Sequence, residues 1–194
     1  MMNETPMILR ETSAGLSRHT IQEDMLSRRE IECVGPIDAE SAYSLTRQLR
    51  YLERQDETAE ITIFFNSPGG DVRSGLAIYD VMKGISCPVR TVCMGIAASM
   101  AAILFAAGSR REILPHGKVM IHDPLLPGGV GGSALQVEAI SQNLLLTRGE
   151  LCSILAECTG KTRKQIQQTT ARDTYFNAKQ AVDFGLADRI ITKI

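Results

Sequence analysis

Ser99, His122 and Asp173 are the residues whose types together suit nucleophilic catalysis. A serine hydroxyl is almost wholly protonated at neutral pH, so it needs a base to take its proton as it attacks. His122 can be that base, because it follows the apolar run Val119-Met120-Ile121 and so sits at the exit of a short strand, where it could face a cleft. Asp173, in Thr170-Ala171-Arg172-Asp173-Thr174-Tyr175-Phe176, can orient the imidazole and stabilise its charged form. Taken singly, each residue has a commoner role: Ser99 as a helix cap, His122 as a structural side chain at a strand end, Asp173 as a cap or surface acid. His19 and His116 lie in terminal or polar turn contexts and are weaker candidates.

The surroundings of Ser99 favour exposure of its hydroxyl. Ala97, Ala98, Met100 and Ala101 flank it at a predicted strand-to-helix junction, so little bulk obstructs a sharp turn. The pattern has the small-x-Ser-x-small logic of a nucleophile elbow without matching GxSxG. The helix that starts there offers free N–H groups and partial positive charge to a developing oxyanion. Gly69 and Gly70 close the turn Asn66-Ser67-Pro68-Gly69-Gly70, whose N–H groups can point at a substrate without a Cβ in the way; the plainer reading is a tight turn after a strand.

Strand and helix signals alternate along the chain and position these residues. Strands are predicted at Arg29–Val34, Glu60–Phe65 and Val89–Met94, with a small-residue bend at Gly95–Ala98. Helices are predicted at Ala39–Glu53, capped by Asp38, at Val72–Met82, and from Ser99 to Ala107. In the first of these, Ala42, Leu45, Leu49 and Leu52 make one apolar face to pack on a sheet. Successive strand-turn-helix units imply parallel pairing. Shorter strands follow at Glu112–Leu114 and Lys118–Ile121, then the flexible tract Pro127–Gly132. A long helix from Ala134 to about Cys158, capped by Ser133, exceeds the other helices and is expected to project from the domain. A helix at Ala178–Phe184 and a strand over Ala187–Ile194 end the chain.

Composition narrows the class. The 194 residues fit one α/β domain, long enough to bury roughly two-thirds of its unfolded surface. Lys plus Arg number 21 against 22 Asp plus Glu, so no net field draws in nucleic acid or an anionic membrane. The chain has no Trp to stack bases. Ile96 to Gly108, the longest apolar stretch, falls short of the ~20 residues that span a bilayer. The first residues have early acids and no apolar signal core, which makes a cytoplasmic location the expectation. Five cysteines without a CxxC pair or zinc spacing read as small core or surface residues, so no metal is expected.

Four ordered motifs resemble one family, the proteolytic subunits of Clp proteases, serine peptidases of the ClpP/crotonase-like fold. The motifs are Phe65-Asn66-Ser67-Pro68-Gly69-Gly70, Cys93-Met94-Gly95-Ile96-Ala97-Ala98-Ser99-Met100, Val119-Met120-Ile121-His122, and Arg172-Asp173 with Ala181-Val182-Asp183-Phe184-Gly185-Leu186-Ala187-Asp188. The resemblance runs from about Pro6 to the end and implies a spiral of repeated strand-helix units with a projecting handle helix over 133–159. It implies Ser99 as nucleophile, His122 as general base and acid, Asp173 as orienting acid, and the N–H groups of Gly70 and Met100 as oxyanion hole. Substrate would add as an extended strand near Gly69, Gly70 and Leu125. It further implies heptameric rings stacked as a tetradecamer, an axial entrance lined within residues 1–20, and unfolded polypeptide fed by a AAA+ Clp ATPase. No cofactor is implied, since ATP is used by that partner, and no GxxxxGK[ST] loop occurs here.

Departures from the family pattern carry their own expectations. Asp123 replaces the usual Gln after the histidine and would favour a charged imidazole if it points into the site. The loop Leu125–Gly132 is longer than usual, and Ala171 and Ser133 replace polar residues expected at the ring-ring contact. Gly84 stands where a large apolar residue often lines the ATPase docking pocket, leaving Phe64 and Ile191 to line it. Two rival readings remain at this level: a crotonase-like CoA-thioester enzyme, and a catalytically weak scaffold subunit of a mixed ring that activates a paralogue.

Overall fold

The computed structural model describes residues 6–13, 15–126 and 128–194. Met1–Thr5 and Ala14 of the expected axial segment, and Pro127 of the expected flexible tract, lie outside the described residues. The chain opens with an antiparallel hairpin, β1 (Ile8–Thr12) and β2 (Gly15–His19), and a short helix α1 (Ile21–Ser27). Then come β3 (Glu30–Val34), α2 (Ala39–Gln55), β4 (Ile61–Ser67), α3 (Val72–Gly84), β5 (Val89–Ala98), α4 (Met100–Ala106), β6 (Arg110–Ile113) and β7 (Lys118–Ile121). The long helix α5 (Ala134–Thr159), α6 (Arg163–Thr170), β8 (Thr174–Asn177), α7 (Ala178–Phe184) and β9 (Arg189–Ile190) complete it.

The expected parallel pairing holds for the main sheet, whose order is β3-β4-β5-β6-β9. β5 differs from its expectation. The small residues Gly95–Ala98 continue it as strand instead of bending away. Its first half pairs with β6 and its second half, Ile96–Ala98, pairs with β7, so β5 serves two neighbours in succession. β7 then takes β8 as an antiparallel partner, with Ile121 opposite Thr174. The hairpin, α1, α6 and β8 were not expected from the sequence, and the closing strand is confined to Arg189–Ile190.

The apolar face foreseen for α2 is the one it buries: Ala42, Leu45, Leu49 and Leu52 are all in the core. Asp38 caps this helix, accepting from the Ser41 N–H at 2.8 Å. α4 is buried along its whole length, which explains its Ala-rich sequence, and Phe105 meets Phe65 edge-on at 6.1 Å. α5 behaves in the opposite way. Leu151, Cys152 and Leu155 dock near its C-terminal end, while Leu135, Val137, Ile140, Leu145 and Leu146 are exposed, so its N-terminal half stands away from the core. Phe64 is only 4% exposed and offers little surface to a partner, against its expected place in a docking pocket. Among the described residues, no helix is long and apolar enough to cross a membrane.

Glu112 on β6 is the buried charge that ties the sheet together. Arg90 Nε donates to it at 2.7 Å from β5 and Arg189 Nε at 2.8 Å from β9. Burial pushes its carboxyl up, but the bonds from Arg189 and Arg90 outweigh that and hold it below the ordinary carboxylate value. A depressed folded-state pKa contributes stability above the unfolded pKa, and the contribution is lost as pH falls through the folded one. Glu112→Gln is therefore expected to lower stability by roughly 2–4 kcal/mol at pH 7. The deficit should shrink at pH 4, and urea melts of parent and variant at both pH values measure it.

Candidate active site

The β5–β7 ladder brings the serine and the histidine to one end of the sheet. Ala98 stands opposite Met120, so the next residues of both strands leave the sheet side by side. The Ser99 N–H donates to the Met120 carbonyl at 2.8 Å, the last ladder-like bond before the chain turns into α4. At that point Ser99 adopts φ 54° and ψ −123°, a conformation L-residues rarely take. The turn lifts its side chain out of the strand-helix line. Its hydroxyl makes no cap bond to α4; instead Oγ lies 2.8 Å from His122 Nε2. The capping role that a lone serine suggests is thus not the one Ser99 has.

Asp173 lies on the turn between α6 and β8. Its Oδ1 is 3.7 Å from His122 Nδ1, within ion-pair range and beyond a direct hydrogen bond. The carboxylate is 63% exposed and the imidazole 14%. Two of the three predicted residues are in contact, and the third stands just outside it.

Gly69 and Gly70 follow β4 and pack against the same junction. A Cβ on Gly69 would meet Ala98 O at 2.5 Å, Ser99 Cβ at 2.8 Å and Met100 N at 2.9 Å. At Gly70 it would come within 2.1 Å of the Ile37 carbonyl. Both have positive φ, 88° and 156°, so these positions need glycine for both space and backbone. Ile37, which the sequence did not single out, holds this turn: its N–H donates to Gly69 O at 2.9 Å and its carbonyl accepts from Asp71 N at 2.8 Å. The Gly70 N–H between these bonds has no acceptor among the described residues. Met100 opens α4, so its N–H has no intrahelical partner. Two free amides therefore flank the serine.

Asp123 turns away from this cleft. Its carboxylate accepts from Arg148 Nε of α5 at 2.6 Å and from Thr170 Oγ1 of α6 at 2.6 Å, so it does not act on the imidazole in the way its sequence position suggests. Leu125 is 62% exposed on the irregular stretch after His122. The thiols are not rival nucleophiles: burial pushes Cys93 up to about 11 and Cys33 to about 12. Among the described residues, no group of acidic, histidine and cysteine side chains is arranged to hold a metal.

A hydroxyl in contact with an imidazole, at a strained turn flanked by unpaired amides, is an arrangement suited to covalent acyl transfer on an α/β scaffold. The Clp protease family model matches residues 13–194, and the chain belongs to that family. Family membership makes it a peptidase.

The strain at Ser99 is measurable. Glycine tolerates the observed backbone, so Ser99→Gly is expected to unfold at higher denaturant than Ser99→Ala, by about 1 kcal/mol. Equal midpoints for the two variants would mean that the turn relaxes without cost.

Proposed function

We propose that the chain is a serine endopeptidase subunit with Ser99 as nucleophile, His122 as general base and then general acid, and Asp173 as the orienting acid. The observation that carries the reading is the 2.8 Å contact between Ser99 Oγ and His122 Nε2 at a backbone turn that frees the hydroxyl from capping. With the proton on Nδ1, Nε2 accepts the hydroxyl proton as Oγ attacks the scissile carbonyl. The carbonyl oxygen becomes an oxyanion received by the N–H groups of Gly70 and Met100. His122 returns the proton to the leaving amine, and water then hydrolyses the acyl-enzyme. Asp173 keeps the Nδ1–H tautomer and stabilises the imidazolium, once it closes the remaining distance. Substrate lies as an added strand along Gly69, Gly70 and Leu125. No cofactor takes part.

The same reading extends to assembly. The exposed apolar residues of α5, Leu135, Val137, Ile140, Leu145 and Leu146, suit a handle buried between two heptameric rings in a tetradecamer. The hairpin β1–β2 suits the axial entrance, through which a AAA+ Clp ATPase passes unfolded polypeptide in the cytoplasm. A second reading, a scaffold subunit that activates a catalytic paralogue, is favoured by one observation, the 3.7 Å gap at Asp173. Ring contacts have few polar partners to use. The Ser133 hydroxyl and the Gln136 side chain are engaged with each other's backbone at the start of α5, and position 171 is an alanine.

A fluorophosphonate probe should label Ser99, as mapped by mass spectrometry, and Ser99→Ala should lose labelling and peptide hydrolysis on the order of a thousandfold. Label elsewhere, or a variant as active as the parent, rejects the assignment; no label at all in the parent favours the scaffold or CoA-thioester readings. Alone, the subunit is expected to sediment as single rings or a labile double ring, with Ala171→Asp plus Ser133→Gln shifting it toward stable double rings and higher hydrolysis. A parent that already sediments as one stable, fully active double ring rejects the scaffold reading.

A further inference from the structure

Immediately after His122, a partly buried polar cluster joins the exit of β7 to α5 and α6. Asp123 follows His122 directly. Its N–H donates to the Thr170 carbonyl at 2.7 Å, and its Oδ1 accepts from Thr170 Oγ1 at 2.6 Å, so one residue holds the end of α6 by backbone and side chain together. Its other oxygen, Oδ2, accepts from Arg148 Nε of α5 at 2.6 Å. Arg148 reaches α6 as well, donating from Nη2 to the Gln167 carbonyl at 3.2 Å. Thr170 is 2% exposed, with Cys152 Sγ of α5 4.0 Å from its hydroxyl.

Asp173 hangs between two anchors. Upstream, Thr170 is fixed to Asp123; downstream, Thr174 pairs with Ile121 across the β7–β8 ladder. Only Ala171, Arg172 and Asp173 lie between them. His122 sits between the corresponding residues of the other chain segment, Ile121 and Asp123. The spacing of imidazole and carboxylate depends on how firmly these cross-links hold, together with the bond from Thr174 Oγ1 to the Thr169 carbonyl at 2.7 Å, and the upstream link is made jointly by the Asp123 backbone N–H and its side chain.

We propose that Asp123 is a positioning residue, clamping the exit of β7 to α5 and α6 so that the segment bearing Asp173 stays within reach of His122. It acts through the other residues and touches neither Ser99 nor substrate. A carboxylate is required because its two oxygens accept simultaneously from a hydroxyl and a guanidinium. An amide of the same shape offers one acceptor and turns an NH2 toward one of those partners. The inference rests on the reading of Ser99, His122 and Asp173 given above.

The test uses the full chain with Asp123→Asn and Thr170→Val, which keep side-chain shape, and Thr170→Ser, which keeps the hydroxyl. Fluorophosphonate labelling of Ser99 gives the maximal rate and half-saturating probe concentration, fluorogenic peptide hydrolysis gives kcat and KM, and sedimentation velocity gives assembly. Asp123→Asn and Thr170→Val are expected to lower kcat and the maximal labelling rate about 10- to 100-fold, the size of effect that a misplacement near 1 Å produces. KM and half-saturation should stay within about twofold, assembly should match the parent, and Thr170→Ser should recover most of the rate. Parental rates in Asp123→Asn or Thr170→Val, a loss confined to KM, a Thr170→Ser as slow as Thr170→Val, or a loss that only follows dissociation each overturn the proposal. A parent not labelled at Ser99 overturns the functional reading and this proposal with it, whereas a labelled parent with unaffected variants overturns this proposal alone.

Discussion

At Ser99 the backbone passes from β5 into α4 through φ 54° and ψ −123°, and the rest of the site depends on that turn being held. Such a conformation costs on the order of 1–3 kcal/mol for an L-residue and persists only where its surroundings over-determine it. Here the supports are separate. The Ser99 N–H is bonded to Met120 on β7, α4 is anchored in the core along its whole length, and Gly69 packs where any side chain would strike Ala98, Ser99 and Met100. Together they leave the backbone no relaxed alternative, so the hydroxyl points at His122 instead of capping the helix it precedes.

The forked pairing of β5 is what makes this arrangement possible. A strand of ordinary length would pair with β6 and stop near Cys93. Continuing through Gly95–Ala98, β5 reaches β7 and delivers Ser99 to the strand that carries His122. The small residues of this extension have a packing reason as well. A Cβ on Gly95 would meet Asn66 Oδ1 at 2.5 Å, and that same oxygen accepts from Ile96 N at 3.3 Å, joining β5 to the end of β4 just before the turn that bears Gly69 and Gly70.

Arginines fasten the helix ends to this frame. Arg29, itself at φ 63°, donates to the carbonyls of Leu52, Asp56, Ala59 and Glu60 and so closes the C-terminal end of α2. Arg111 on β6 does the same for two helices, donating to Cys158 O of α5 at 2.6 Å and to Gly185 O after α7 at 2.7 Å, while pairing with Asp188. A guanidinium suits this use because its several donors meet several orphan carbonyls at the end where the helix dipole is negative. The body is thereby braced at the docked end of α5, and the exposed half of that helix extends from a fixed base.

Local signals in the sequence determined the alternating strand-helix order, the buried face of α2 and the length of α5, while the serine and histidine that meet were picked out by the ordered family motifs around them. Apolar periodicity, cap residues and small-residue runs act within a few positions of one another. The sequence did not reveal the direction of the Asp123 carboxylate, because the residues that claim it, Arg148 and Thr170, lie far along the chain and look like ordinary helix positions there. Nor did it reveal that Gly95–Ala98 would remain strand, since the ladder those residues join is made by distant partners, β7 on one side and Ser67 of β4 on the other. The distance from Asp173 to His122 belongs to the same class. It is fixed by how α5, α6 and β8 pack around the end of β7, and tertiary packing, not residue spacing, decides whether a carboxylate in the right order along the chain also arrives within reach.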